Sequence, residues 1–208
     1  MIISEHEQGT DEWMQERIGI PTASNFDKIF TTTLKPSSTS KTYLNTLLAE
    51  WMLGEKEQIK QSEWMQRGIE LEAEAREAFG FVTDYRVDQV GLCYRDEQKL
   101  VGASPDGFVF ETDIADFDSL LEIKCPKAST HVGWMLSGGL PSTYFQQCHG
   151  QLYVCDLDSL HFVSYYPGLP LFHVVVERDE KIDSAIHKHI SEFIEKMLEG
   201  REKLEGMK

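Results

Sequence analysis

The chain has 208 residues, 41% of them apolar and 26% charged, which suits one domain, or at most two small ones, around a packed core and excludes disordered and fibrous classes. No run approaches the roughly 18 consecutive apolar residues of a membrane-spanning helix, and the start, MIISEHEQGTDEW, lacks the basic opening and apolar centre of a secretion signal, so a soluble, intracellular protein with no membrane partner is expected. Lys plus Arg number 20 against 35 Asp plus Glu, a formal charge of −15; this argues against a polyanionic partner for the surface as a whole, while leaving room for carboxylates gathered on a divalent metal and a few cations beside a phosphate.

Residues 22–30, TASNFDKIF, predict a short helix capped by Ser24 or Thr22, with Asp27 favouring the first turn. The Ser- and Thr-rich stretch 31–41, broken by Pro36 and without periodicity, predicts a mobile surface loop. Over 41–53, Leu44, Leu47, Leu48, Trp51 and Met52 fall at the spacing of a helix with one buried face, which Gly54 ends. A second helix is expected over 62–79, with Met65, Ile69, Ala73 and Ala75 inward and Gly80 as the stop. The period then changes. Segments 87–94, 100–103, 107–111 and 120–125, separated by turn signals, predict an antiparallel meander. Residues 142–154 return to helix, 161–166 and 171–177 are strand-like runs about a PGLP turn, and 180–204 is a long charged amphipathic helix. The order predicts an α+β or mixed-sheet fold, and with no internal repeat and no dividing linker it reads as a single domain over 1–208. Cys93, Cys125, Cys148 and Cys155 include no C-x-x-C pair and read as reduced thiols.

The chemistry is carried by S-P-D-G at 104–107 and L-E-I-K-C-P at 121–126. Side chains of a strand alternate, so Glu122 and Lys124 share a face while Ile123 enters the core. Asp106 sits at a Pro-Asp-Gly turn, and an antiparallel return through 15 intervening residues brings it beside Glu122. Two converging carboxylates with a lysine two residues along suit a hard cation such as Mg²⁺ or Mn²⁺, the Ile123 carbonyl adding a further ligand. Taken singly, E-x-K is most often an exposed ion-paired face and P-D-G merely a turn. The ordered set shifts that reading, with a G-x-E-x-E-x-x-A-R helix before it and a Tyr-Gln helix after it. Upstream, Ser24, Thr22 and the Arg17 guanidinium offer an anion site at a helix start, where Arg17 can grip a phosphate with two N–H groups; ordinary capping with Arg17 exposed is the competing reading.

The blocks EQGTDEWMQERIGIPTAS at 7–24, LLAEWMLG at 47–54, RGIELEAEAR at 67–76, VGASPDG at 101–107, LEIKCP at 121–126, YFQQCHGQLYV at 144–154 and VVVERDEKI at 174–182 follow one order along nearly the whole chain. In them the chain resembles the lambda-exonuclease type of phage recombination nucleases, the YqaJ-like alkaline exonucleases of the PD-(D/E)-x-K superfamily. The resemblance implies a restriction-endonuclease-like core with a mixed or antiparallel central sheet flanked by helices. It implies Asp106 and Glu122, with the Ile123 carbonyl and Glu72, as ligands of two Mg²⁺ ions that Mn²⁺ can replace. Lys124 would position or deprotonate the attacking water, with Gln147 as a helper. Where the family shows a Q-x-Q pair, this chain has Gln147 followed by His149, and His149 reads more simply as a histidine packed on a helix flank.

The same resemblance implies a pocket for a terminal 5′-phosphate from Arg17, Thr22 and Ser24, with Ser104 in the DNA-binding set. Met65, just before R-G-I-E-L-E, is the candidate wedge between terminal base pairs, although core packing accounts equally well for a helical methionine. From the loop's own residues, Lys35 and Lys41 could touch the duplex backbone, although a mobile polar loop with no task is the commoner case. The implied activity is digestion of one strand of linear double-stranded DNA from a 5′-phosphate end to mononucleotides, leaving a 3′ overhang. Implied with it are a homotrimer ring, a single-strand annealing protein as partner, and the cytoplasm of a bacterial host with a phage or prophage origin. Two readings stand beside it: a restriction or repair endonuclease on the same scaffold, and an acidic, DNA-mimicking or interaction protein that is not an enzyme.

Overall fold

The computed structural model describes residues 1–56, 63–111 and 116–207, with Glu63, Trp64 and Met65 described through their backbone alone. Ile2–Ile3 (β1) precedes Asp11–Glu16 (α1), whose cap Thr10 accepts the Trp13 N–H on its hydroxyl at 3.2 Å. With six residues, α1 is too short to show a hydrophobic stripe, and periodicity does not find it. TASNFDKIF forms a 3-10 helix, Ala23–Lys28, rather than an α-helix: Thr22 takes the cap position but is buried without a side-chain cap bond, and Ala23 and Phe26 turn into the core. In place of a shapeless loop, the chain beyond it is ordered by its own turn. The Thr31 N–H donates to the Lys35 carbonyl at 2.8 Å, the Lys35 N–H donates to Thr31 Oγ1 at 3.2 Å, and Phe30 bridges to Pro36.

Ser40–Leu53 (α2) ends at Gly54 with φ 70°, as expected, but Tyr43 and Leu47 carry its buried face while Met52 is exposed. Glu63–Thr83 (α3) runs through Gly80 and stops where Asp84 adopts φ 61°. Its expected stripe is displaced. Ala75 and Phe79 pack on the sheet, whereas Ile69 is 58% exposed, because the helix touches the sheet only near its far end and turns its earlier residues toward a cleft.

Arg86–Asp88 (β2), Cys93–Tyr94 (β3), Gly102–Ala103 (β4), Gly107–Phe110 (β5) and Ser119–Lys124 (β6) do not make one meander. The expected strand 87–94 is divided: β2 pairs antiparallel with β5, and β3 pairs with β1 and β4 in a separate three-stranded sheet. The division falls by Gly91, where an added Cβ would stand 2.5 Å from the His6 carbonyl oxygen, so the N-terminal segment occupies the room a continuous strand would need.

After β6 come Ala128–Ser137 (α4), a 3-10 turn at Ser142–Tyr144, Phe145–Cys155 (α5), and then Ser159–Ser164 (β7), which lies parallel to β6. A parallel return requires a crossover, and α4 and α5 supply it. The sequence reading assigned no element where α4 lies; it is fastened by buried His131, whose ring nitrogens bond Ser164 Oγ at 2.7 Å and the Pro170 carbonyl at 3.0 Å. Phe172–Glu177 (β8) pairs antiparallel with β7, and Asp179 caps Glu180–Glu205 (α6). The main sheet has the order β2-β5-β6-β7-β8. On one face α3 sets Ala75 and Phe79 on Val109, Leu121, Ile123 and Val163; on the other, α2, α5, α6 and the first 3-10 segment gather around Phe26, Leu120, Leu152, Phe162 and Ile186. This is an α+β fold. Among the described residues no helix is long and apolar enough to cross a membrane.

α5 lies so close to the Ala23–Lys28 segment that an added Cβ on Gly150 would stand 2.5 Å from the Phe26 ring and 3.2 Å from the Ala23 Cβ. Gly150→Val should therefore lower the urea midpoint by the equivalent of about 1–3 kcal/mol with an unchanged denaturant slope; equilibrium unfolding followed by Trp fluorescence measures it.

Candidate active site

The antiparallel register sets Gly107 opposite Leu121, so Asp106 arrives at the carboxyl end of β6. Its N–H donates to the Leu121 carbonyl at 2.8 Å, and its Oδ2 accepts from the Ile123 N–H at 2.6 Å. Ile123 enters the α3-side core, leaving Glu122 and Lys124 on the opposite face. Glu122 is 1% exposed, and both of its oxygens are held: Oε1 accepts from Gln147 Nε2 at 2.5 Å and pairs with the Lys124 ammonium, and Oε2 accepts from Gln151 Nε2 at 2.6 Å. Gln147 and Gln151 stand four residues apart on α5 and so share one face.

Glu72 reaches the same place from α3. It pairs with Arg76 at 2.6 Å, one turn on, and Arg76 Nε also donates to the Asp106 carbonyl at 3.3 Å. Between these elements lies a cleft of about 430 Å³, lined by Ile69, Glu72, Asp106, Lys124, Pro126 and Tyr144 among others. The Lys124 ammonium lies 5.2 Å from the Tyr144 ring centroid.

Burial, followed by the charges of Glu122 and Glu72, pushes the Asp106 carboxyl well above the usual carboxylate range against the opposing pull of Lys124. For Lys124, burial disfavours the ammonium, but Glu122 and Asp106 outweigh it and raise the pKa, keeping the proton on. Burial raises the Cys125 thiol to about 11 and the Cys148 thiol well above its usual value, so neither is a thiolate at neutral pH.

Among the described residues no group of three His, Cys, Asp or Glu side chains is drawn together tightly enough to hold an ion alone; Asp106 and Glu122 converge, while Glu72 stays with Arg76. The donors that do converge are hard oxygens. Behind Glu122, the buried Gln151 Oε1 has no hydrogen-bond partner among the described residues. Mutually repelling carboxylates at this cleft fit a small dication that keeps much of its own water, and they do not fit a soft metal.

The upstream residues gather on the same side. Arg17 is not an exposed cation: its Nη1 donates to Ser104 Oγ at 2.7 Å, its guanidinium stacks 4.2 Å from the Trp13 ring centroid, and burial lowers its pKa. Thr22 forms a bridge with Gly102, and its Oγ1 lies 3.3 Å from Ser24 Oγ. Lys35 is exposed on its turn, and the Met65 side chain lies outside the described residues. His149 stacks on Phe145 at 4.5 Å, the helix-flank packing expected of it. Arg76 had no role of its own in the sequence reading, although it follows Glu72 by four residues, a spacing available as a signal, and Tyr144 was read only as part of the Tyr-Gln helix.

An Asp leading into one strand, Glu-x-Lys on its antiparallel neighbour, a parallel strand beyond and a helix carboxylate across the cleft define a nuclease of the PD-(D/E)-x-K fold. The sequence profile of the YqaJ-like viral recombinase domain matches residues 12–158, and the chain belongs to that family. Among solved structures it is similar to LHK-Exo, an alkaline exonuclease from Laribacter hongkongensis, at 31% identity over 95% of this chain and 97% of that one, with a TM-score of 0.83. LHK-Exo in complex with dAMP matches with a TM-score of 0.82 at the same identity and coverage. A phage related exonuclease from Haemophilus somnus 129PT shares the fold at 15% identity, with a TM-score of 0.66 over 91% of this chain and 96% of that one. No curated protein matches significantly. The coarse activity that follows is that of a recombination nuclease of the exonuclease type.

A carboxyl whose folded pKa is raised contributes stability only while protonated, and that stability is lost as pH rises from the ordinary Asp range through the raised value. Asp106→Asn, which keeps an acceptor for the Ile123 N–H, should therefore melt above the wild type in EDTA at neutral pH, and the gap should shrink as pH falls from neutral toward about 4 and change no further below it. Each 1 kcal/mol relieved corresponds to about 2–4 °C in a chain of this size, measurable by calorimetry.

Proposed function

We propose that the protein digests one strand of linear double-stranded DNA in the 5′-to-3′ direction, releasing mononucleotides and leaving a 3′ overhang for recombination by strand annealing. The observation that carries this reading is the meeting of Asp106, Glu122 and Lys124 at one end of β6, with Arg17 bonded to Ser104 two residues before Asp106. The short 104–106 link ties a phosphate-gripping guanidinium to the hydrolytic carboxylates at a fixed distance. An enzyme that works from a strand end requires such a link, and an endonuclease does not. That LHK-Exo is described with dAMP supports a mononucleotide product.

Asp106, Glu122, the Ile123 carbonyl and Glu72 would hold two Mg²⁺ ions, for which Mn²⁺ can substitute. Bound there, the metal supplies Lewis acidity that lowers the pKa of water and charge that offsets the phosphodiester. Lys124, kept protonated by Glu122 and Asp106, orients the attacking water and meets charge developing on the phosphate. Gln147 and Gln151 fix Glu122 from behind, and Arg76 fixes Glu72 together with the Asp106 backbone. Arg17, Thr22, Ser24 and Ser104 receive the 5′-phosphate, and Lys35 touches the duplex backbone. Met65, near the start of α3, parts the terminal pair; exposed Ile69 one turn on lines the path to the carboxylates.

A homotrimer ring threaded by DNA, acting with a single-strand annealing protein in the bacterial cytoplasm, completes the proposal. A charge of −15 directed outward would keep DNA off the outer surface and leave a few inward cations to guide it.

The deciding substrate is a linear duplex with a 5′-phosphate on one strand only: with Mg²⁺ that strand should disappear, and covalently closed circles should survive. Lys124→Ala should cut the rate by about 10²–10⁴-fold. Arg17→Ala should slow digestion of the 5′-phosphorylated end while leaving the slower 5′-hydroxyl reaction unchanged. Cutting of closed circles would move the assignment to an endonuclease on the same scaffold.

A further inference from the structure

We infer that Gln8 is a positioning residue for Asp106, acting through the carbonyl of Pro105; the inference rests on the reading of Asp106 as a metal ligand. The N-terminal segment lies across the molecule as a strap. β1 pairs with β3, the Ser4 N–H donates to the Leu92 carbonyl at 2.8 Å, and the strap passes over Gly91, whose lack of a side chain admits the Ser4 and His6 carbonyls. Gln8 follows, and its Nε2 donates to two carbonyls, Val90 O at 2.8 Å and Pro105 O at 2.8 Å. Both residues lie between strands, Val90 between β2 and β3 and Pro105 between β4 and β5, so no strand pairing engages them.

The second of these bonds bears on the site. Pro105 has no N–H, so its carbonyl is its only backbone hydrogen-bonding group. That carbonyl belongs to the same planar peptide unit as the Asp106 N–H. One end of the unit is held by Gln8 at 2.8 Å and the other by the Leu121 carbonyl at 2.8 Å. Rotation of that plane is the motion that would swing the Asp106 carboxylate away from Glu122, and it is resisted at both ends. The β5–β6 ladder supplies one restraint, while the other comes from a residue 97 positions earlier in the chain.

The test is calorimetric titration of Mn²⁺ into the full chain without DNA, with Mg²⁺ titration of DNA cleavage alongside. Gln8→Ala should weaken Mn²⁺ binding roughly tenfold, as for partners that orient a metal ligand, and raise the half-saturating Mg²⁺ by a similar factor while KM for DNA stays unchanged. Gln8→Glu keeps the bulk but has no N–H to donate, so it should lose at least as much; this separates the hydrogen bonds from packing. Ser4→Ala removes the 2.5 Å bond to Glu16 from the same strap and should lower Tm without changing metal affinity. Unchanged affinity in both Gln8 variants, or an equal loss in Ser4→Ala, would overturn the inference. A wild-type chain that binds no Mn²⁺ would overturn the reading of Asp106 itself and the inference with it.

Discussion

A single antiparallel register, Gly107 opposite Leu121, decides where Asp106 stands relative to Glu122 and Lys124. It carries Asp106 to the end of β6, where the Ile123 N–H reaches the Asp106 carboxylate and the Leu121 carbonyl takes the Asp106 N–H. Strand side chains alternate, so a slip of one residue would send Glu122 and Lys124 into the α3-side core and bring Ile123 out. The buried leucine and isoleucine on that side, packed beneath Ala75 and Phe79, make such a slip costly. The apolar packing of one face thus fixes the chemistry of the other.

Two of the three acids at the cleft are ion-paired, Glu122 with Lys124 and Glu72 with Arg76. Glu122 is gripped by two neutral amides, which direct its oxygens without neutralising them, and only Lys124 adds a cation beside it. Arg76 pairs with Glu72 and donates its Nε–H to the Asp106 carbonyl. Burial and the charges of Glu122 and Glu72 disfavour the anion of Asp106, against the pull of Lys124. The strongly acidic composition has its local counterpart here, and on the proposed reading the cleft would take up divalent cations before a phosphate.

Much of the site was legible because its residues lie in two short runs, and strand alternation does the rest. Asp106, Glu122, Lys124 and the core position of Ile123 follow from S-P-D-G and L-E-I-K read as strands. Other parts were hidden for physical reasons. The inner face of α3 was misplaced because Ile69, apolar and at helical spacing, faces the cleft rather than the core, and a hydrophobic pattern cannot tell the two apart. The strand 87–94 was overextended because its interruption comes from the N-terminal strap, a contact made by residues far away in the chain. The helix over 142–154 and a mixed sheet were expected, but the direction of β7 relative to β6 was not, and α4, with its polar residues and Gly133, gave no helical stripe. Arg17 was expected at a helix dipole, yet what holds it is the Trp13 ring and the Ser104 hydroxyl.

That parallel pairing has a bearing on how the protein is born. β7 can join the sheet only after α4 and α5 have crossed over, and α5 brings the two amides that hold Glu122. On the ribosome the first 125 residues, with Asp106 and Glu122 already made, have neither the β6–β7 pairing nor those amides until the later segments emerge. Assembly of the site is thereby deferred until most of the chain has been synthesised.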